Sequence, residues 1–97
     1  MKKQNTEPIG VVIRQFLQEN GLEKPFLEHK VIEAWPNLMG KMIAKYTGNI
    51  NVKNGTLYVQ ITSAALRQEL FLARDMLIKK LNDEVGAEII NDIRLLA

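Results

Sequence analysis

The sequence predicts an α+β domain in which helices cover one face of a three-stranded sheet. Asn54-Gly55 supplies the two positive-φ residues of a tight hairpin turn, and apolar and polar residues alternate over 57–62. At Ser63 the apolar period changes from two residues to about 3.6, which indicates that a helix begins there. With two helical segments upstream and an apolar segment downstream, the predicted order is helix, helix, strand, strand, helix, strand.

The first helix is predicted over Glu7–Asn20, and residues 1–5 before it are expected to be flexible. Thr6 is its expected cap, Pro8 suits the first turn, and Gly21 is a natural stop. Its buried stripe is expected to consist of Ile9, Val12, Ile13, Phe16 and Leu17.

The second helix is predicted from Pro25 to about Tyr46, with Pro36 in its interior. Because proline lacks a backbone donor and clashes with the preceding turn, we expect a kink, or two short helices meeting, near Trp35-Pro36. The apolar positions of this helix are Leu27, Val31, Trp35, Leu38 and Met42.

The remaining elements follow the hairpin. Two strands are predicted over Asn49–Lys53 and Thr56–Thr62. One long helix is predicted from Ala64 to about Glu84, with Gly86 ending it, and a last strand is predicted over Glu88–Leu96. The sheet face away from the helices is expected to be polar and to present Asn49, Asn51, Tyr58, Gln60 and Arg94.

Composition limits the possible functions. A chain of 97 residues that is 46% hydrophobic and 25% charged fits one folded soluble domain, spanning residues 1–97. It contains no cysteine, which excludes disulfides and thiolate chemistry and fits a reducing cytoplasm. We find no signal peptide and no apolar run of the roughly 20 residues that a membrane-spanning helix needs, so we expect a cytoplasmic protein without membrane contact.

Charge leaves the partner open. The net charge is +2, with eight Lys/Arg against five Glu in residues 1–53 (+3) and five Lys/Arg against six Asp/Glu in residues 54–97 (−1). Such an excess permits nucleic-acid contact without requiring it.

Catalytic chemistry is hard to find in the sequence. His29 is the single histidine, so a site with several histidine ligands is impossible. We see no convincing acid–base pair of carboxylates, and the glycines are too scattered for a phosphate-binding loop. We therefore predict a protein that is not an enzyme and that has no cofactor and no metal site.

Two patterns favour binding, and each has a structural alternative. Five residues at helical spacing form a partly basic stripe on the second helix: Lys30, Glu33, Asn37, Lys41 and Lys45. The stripe either contacts phosphates or is an ordinary solvated face. On the third helix, Arg67, Phe71 and Arg74 interleave cations with an aromatic ring. They either stack on single-stranded bases or anchor a protein partner, or else Phe71 is part of the core and the arginines only flank it. Trp35 is either core or an interface anchor.

Several segments together resemble the DciA family, long catalogued as a domain of unknown function. They are Ile9-Gly10, Asn20–Leu22, Ala34–Gly40, Gly55–Val59, Ser63–Leu70, Leu81-Asn82 and Gly86–Ile93. The resemblance implies a KH-like fold and a bacterial protein that works with the replicative helicase DnaB on single-stranded DNA.

These patterns and the resemblance together give the candidate site residues. The candidate nucleic-acid contacts are Lys30, Lys41, Lys45, Arg67 and Arg74, and the candidate partner contacts are Trp35, Leu66 and Phe71. Many relatives have a tryptophan where Leu66 stands, so any role of an aromatic side chain at that position is absent here. Longer relatives carry a disordered basic extension that contributes to DNA contact, and residues 1–97 do not include one, so we expect DNA binding by these residues to be weak. No Gly-x-x-Gly loop, with which KH domains clamp a nucleic-acid backbone, is present.

The sequence therefore favours a non-enzymatic replication adaptor that binds the helicase. Two alternatives stay open. One is a stand-alone binder of single-stranded nucleic acid that uses the sheet face around Tyr58. The other is a homodimeric structural module that pairs through exposed apolar side chains such as Leu72 and Met76.

Overall fold

A computed structural model describes the backbone of residues 3–97 and the side chains from Gly10 onward. The elements are α1 (Lys3–Glu19), α2 (Glu23–Lys45), β1 (Thr47–Lys53), β2 (Thr56–Ile61), α3 (Ala64–Leu72), α4 (Arg74–Val85) and β3 (Asp92–Leu96). The predicted α+β class and element order are confirmed, except that the predicted third helix is divided into α3 and α4.

The sheet has the order β1-β2-β3. β1 and β2 are antiparallel and join through Asn54 and Gly55, whose φ angles are 51° and 80°, as the hairpin prediction requires. β3 runs parallel to β2 because the chain crosses over through α3 and α4 before it returns to the sheet. The ladder between β1 and β2 shifts register between Thr47 and Ile50.

The core lies between the sheet and the helices. Leu57, Val59 and Ile61 alternate along β2 and are fully buried, so the predicted period of two is confirmed. They pack with Val31, Ala34, Trp35, Leu70, Leu77, Leu81, Ile90 and Ile93. At about 25 cal/mol per Å² of apolar surface removed from water, this cluster supplies the main stabilisation of the domain.

The buried indole of Trp35 connects α2 to β1. Its Nε1 donates a hydrogen bond to Thr47 Oγ1 at 3.1 Å, and Thr47 Oγ1 donates in turn to the carbonyl of Ile43 at 2.8 Å. A buried indole N–H needs such a partner, since an unpaired polar group in a core is costly. The pair fixes the end of α2 against the first residue of β1.

The predicted burial of the first helix is wrong. Val12, Ile13 and Phe16 are 63%, 49% and 57% exposed, and Leu17 is half-buried. Amphipathic periodicity identifies an apolar face but not what covers it, and here α1 packs mainly against α2 while α2, α3 and α4 close the core. The side chain of Ile9 lies outside the described residues.

The bounds of α1 also differ from the prediction. The helix begins at Lys3, so Thr6 lies inside it and is not its cap. Met1 and Lys2, part of the segment expected to be flexible, lie outside the described residues. The predicted stop at Gly21 is confirmed, with a φ of 67°.

The predicted kink at Trp35-Pro36 is misplaced. α2 continues through Pro36, and its backbone leaves helical geometry at Gly40, where φ is 88° and ψ is 173°. This conformation is open essentially to glycine alone, and Gly40 is the one glycine between Glu23 and Lys45. Residues beyond it no longer share the face predicted from helical spacing, and Met42, one of the apolar positions of this helix, is 68% exposed.

The predicted long helix is interrupted at Ala73, where φ is −96° and ψ is 12°. Its two predicted ends are confirmed. Ser63 Oγ accepts a hydrogen bond from the N–H of Leu66 at 3.2 Å, and Gly86 ends α4 with a φ of 85°.

The last strand is shorter than predicted, because the backbone groups of Ile89 and Ile90 bond to a side chain and not to β2. Asn82 Nδ2 donates to the carbonyl of Ile90 at 2.8 Å, and Asn82 Oδ1 accepts from the N–H groups of Ile89 and Ile90 at 3.1 Å each. Asn82 thereby fixes the loop that leads into β3.

Candidate interaction groove

A groove of about 700 Å³ lies between β3 on one side and α3 with the start of α4 on the other. We call it the arginine groove. It is lined by Tyr58, Ala64, Arg67, Gln68, Phe71, Arg74 and by the five β3 residues Asp92, Ile93, Arg94, Leu95 and Leu96. Of the predicted site residues, the structure brings Arg67, Phe71 and Arg74 together here.

Each of the three arginines in the groove is held by a neighbour. Arg67 donates to the carbonyl of Ile61, at the end of β2. The guanidinium of Arg74 lies 4.7 Å from the centre of the Phe71 ring, within the range of a cation–π contact. Arg94 Nε donates to Asp92 Oδ2 at 3.0 Å. Anchored cations lose less side-chain freedom when they bind a partner.

Asp92 is the acidic residue that lines the arginine groove. The hydrogen bond from Arg94 lowers its pKa most, and burial opposes that effect; the N–H of Ile93 and the charge of Arg74 lower the pKa further. Asp92 is therefore ionised at neutral pH. Three guanidinium charges against one carboxylate leave the groove with a charge of +2.

Aromatic side chains lie beside these cations. Phe71 is 54% exposed, which decides between the two alternatives in favour of a surface residue. Tyr58 is half-buried on the outer face of β2. A cationic groove with exposed ring faces suits both stacked bases and a protein partner with acidic and apolar groups.

The polar sheet face adjoins the arginine groove. A second depression, of about 390 Å³, is lined by Asn49, Asn51, Tyr58, Gln60, Leu96 and Ala97. Tyr58 and Leu96 line both depressions, so the two form one continuous surface. The polar face predicted from the alternation along β2 is confirmed.

The predicted lysines of the second helix lie elsewhere. Lys30 lines a separate depression of about 240 Å³ with Asn37 and two carboxylates, Glu33 and Glu84, which offset its charge. Its Nζ lies 5.4 Å from the ring of Phe26. The structure does not bring this residue to the arginine groove.

Lys41 and Lys45 follow the break at Gly40 and do not line the arginine groove either. Lys45 Nζ lies 6.0 Å from the ring of Tyr46. The stripe predicted from regular helical spacing is therefore divided, because the helix does not continue regularly through Gly40.

The two remaining predicted contact residues pack inward. Trp35 has no exposed surface, so its interpretation as core is confirmed and direct contact with a partner is not available to it in this conformation. Leu66 is half-buried and packs against the core. Trp35 holds α2 against the sheet.

The sequence predicted Arg94 on the open sheet face, but not that it lies beside Arg67 and Arg74 in one groove. Asp92 was not among the predicted site residues. The missing information is the register of β3: Arg94 pairs with Tyr58 across a parallel ladder whose partners are about 36 residues apart in the chain. No local pattern encodes such a register.

Among the side chains described, no group of three or more His, Cys, Asp and Glu residues is arranged to hold a metal ion. His29 Nε2 lies 3.4 Å from Glu33 Oε2, and both side chains are exposed. Within residues 3–97, no helix has the length and apolarity needed to cross a membrane.

Comparison with known proteins identifies the family. The family model described as "Dna[CI] antecedent, DciA" matches residues 8–95. A "UPF0232 protein" of Streptomyces avermitilis is 30% identical over 80 residues, which cover 80% of this chain and 44% of the relative. The chain thus spans less than half the length of that relative. Because the family model covers nearly the whole domain, the chain belongs to the DciA family.

Proposed function

We propose that this domain is a non-enzymatic accessory of DNA replication that binds the DnaB-type replicative helicase and assists its loading or operation on single-stranded DNA. The observation that carries the proposal is the family match over residues 8–95. The family description speaks of an antecedent of Dna[CI], and the resemblance noted in the sequence implies partnership with the helicase. The cytoplasm is the compartment in which this work takes place.

The arginine groove is the proposed helicase-binding surface. Phe71 offers an exposed aromatic ring that is backed by Arg74, and aromatic and arginine side chains are the commonest anchors of protein interfaces. Arg67 and Arg94 add charges held in place by Ile61 and Asp92. A rigid cationic groove of this kind suits an acidic surface on the partner.

Assistance without catalysis requires differential binding. A protein that binds one helicase conformation more tightly than another shifts the population toward the first, by no more than the difference in affinity. A bias of about tenfold requires about 1.4 kcal/mol of differential binding free energy. A few contacts in the arginine groove are enough for that.

Single-stranded DNA is the proposed second ligand. The polar sheet face and Tyr58 lie next to the arginines, so a base stacked on Tyr58 would place its phosphates near Arg94 and Arg67. Lys30, Lys41 and Lys45 lie outside this surface, and we assign them at most weak additional phosphate contacts. Affinity for DNA should be low and should fall steeply with salt.

The continuity of that surface also favours the second candidate function, a stand-alone binder of single-stranded nucleic acid. Under it, the same arginines contact phosphates and no helicase is involved. The third interpretation, a homodimeric module, draws on the exposure of Leu72 and Met76, at 71% and 53%. The adaptor binds the helicase, the second candidate binds only nucleic acid, and the third binds a second copy of this chain.

The test is calorimetric titration of the 97-residue chain with the replicative helicase of its own host, and separately with a dT20 oligonucleotide. The adaptor predicts micromolar or tighter helicase binding that weakens between 50 and 200 mM salt, because the groove is cationic, but is still measurable at 200 mM. Oligonucleotide binding that disappears with salt, without any helicase signal, would leave the nucleic-acid binder. Dimerisation of the chain alone with neither ligand bound would leave the structural module.

A further inference from the structure

Within residues 3–97, β3 pairs with β2 alone, so it is an edge strand of the sheet β1-β2-β3. The hairpin decides which backbone groups of β2 face it. A two-residue turn is closed by a hydrogen-bonded pair, here Lys53 and Thr56, so Thr56 and every second residue after it direct their N–H and C=O groups toward β1. The groups of Leu57 and Val59 therefore face β3.

The parallel register then identifies the free groups of β3. Leu57 lies opposite Ile93 and Val59 opposite Leu95. In a parallel ladder, a residue whose backbone groups face its neighbour bonds to the residues on either side of the one opposite it. The backbone groups of Arg94 and Leu96 therefore bond to β2, while the N–H and C=O groups of Ile93 and Leu95 point away from β2. An independent contact agrees: the N–H of Ile93 donates to Asp92 Oδ1 at 2.8 Å.

The outward edge of β3 borders the arginine groove. All five residues of β3 line the groove, and Ala64, Arg67 and Phe71 line its opposite wall at helical spacing on α3. A strand of five residues extends about 17 Å at roughly 3.3 Å per residue. A helix facing an open strand edge across a groove is an arrangement that takes up an extended peptide as an additional strand.

We propose that the edge of β3 binds an extended acidic segment of a protein partner by strand addition. Under the proposed function that partner is the helicase, and the inference rests on it. The occupant is acidic because Arg67, Arg74 and Arg94 line the groove, while its carboxylate, Asp92, is paired with Arg94 and offsets one of these three charges. The exposed side chain of Leu96 offers an apolar contact beside the edge.

The backbone favours a peptide over a nucleic acid. The outward backbone groups of β3 are the carbonyl of Ile93, the N–H of Leu95 and the carbonyl of Leu95. They alternate acceptor, donor and acceptor, which is the pattern that the N–H and C=O groups of another strand match. A phosphate backbone offers acceptors only, and so leaves the carbonyls unmatched. The outward N–H of Ile93 already donates to the carboxylate of Asp92, so it does not need a carbonyl of the added strand as its acceptor.

Deuterium uptake at single-residue resolution tests the proposal directly. The chain is exchanged alone, with the host's replicative helicase, and with dT20. Strand addition predicts that the helicase slows exchange of the Leu95 amide about tenfold or more, while the Arg94 amide, already bonded to β2, changes little. This measurement uses the unaltered chain and needs no variant to fold.

A pair of variants separates backbone from side chain. Leu95→Pro removes the outward N–H without removing a bond to β2, and Leu95→Ala keeps that N–H. Strand addition predicts that Leu95→Pro weakens helicase binding about tenfold or more, and that Leu95→Ala keeps most of the affinity. Thermal unfolding of each variant establishes that it is folded before binding is measured.

Each contrary result has a distinct meaning. Helicase binding without protection of the Leu95 amide would overturn strand addition and leave the proposed function standing. Protection of that amide by dT20, but not by the helicase, would show that nucleic acid occupies the edge and would also overturn the inference. Absence of helicase binding altogether would overturn the proposed function and this inference with it.

Discussion

Replacing Asn82 by alanine should destabilise the domain and loosen β3. The side chain makes three hydrogen bonds of 2.8 to 3.1 Å to the backbone of Ile89 and Ile90, and Ile90 is 3% exposed. Each such bond contributes a net 0.5–1.5 kcal/mol or so, and its loss leaves backbone groups unpaired near the core. We expect the free energy of unfolding to fall by about 3 kcal/mol, or the Tm by about 10–20 °C.

Urea denaturation followed by circular dichroism measures this change. Asn82→Asp is the matched comparison, because its carboxylate keeps both acceptor contacts and only the contact with Ile90 changes, from a donor to an oxygen that repels the carbonyl. A loss of stability in Asn82→Asp therefore measures the contact with the Ile90 carbonyl. If Asn82→Ala lowered the free energy of unfolding by less than about 1 kcal/mol, Asn82 would not be what fixes the loop before β3.

Three further predictions concern the core, the helix break and pH. Trp35→Phe removes the donor to Thr47 and part of the ring volume, and should cost about 2–4 kcal/mol in urea denaturation; an unchanged midpoint would contradict its placement. Gly40→Ala should lower thermal stability by about 1–3 kcal/mol, because φ is 88° there; a rise in Tm would instead indicate that α2 continues unbroken. Because the folded-state pKa of Asp92 is lowered, its contribution to stability is fully present above its unfolded pKa of about 4 and is lost as the pH falls from there through the folded-state pKa. The wild type should exceed Asp92→Asn in stability at pH 7, and this difference should shrink at pH 3.

Local signals in the sequence predicted much of the fold. Asn54-Gly55, the alternation along β2, Ser63 and Gly86 each determine their own conformation through φ preference, period or capping, and each prediction is confirmed. The break in α2 was misplaced because proline and glycine both lie in the helix. The choice between them depends on how the residues after Gly40 meet β1, which is a tertiary effect.

The arginine groove was only partly predictable. Arg67, Phe71 and Arg74 were predicted as one surface because helical spacing is local. Arg94 joins them only through the parallel register of β3, which depends on how the crossover packs. The apolar face of α1 shows the converse limit: its periodicity is real, but the sequence does not say whether anything covers it.

The most direct test of the central claim compares helicase binding by two variants with matched side chains. Phe71 lies in the arginine groove and Phe16 on α1, at 54% and 57% exposure, so neither substitution by alanine should unfold the domain. We predict that Phe71→Ala weakens calorimetric binding to the host's helicase about 30-fold or more, and that Phe16→Ala leaves it unchanged. Equal affinities for both variants and the wild type, or a loss confined to Phe16→Ala, would show that the helicase does not bind at the arginine groove.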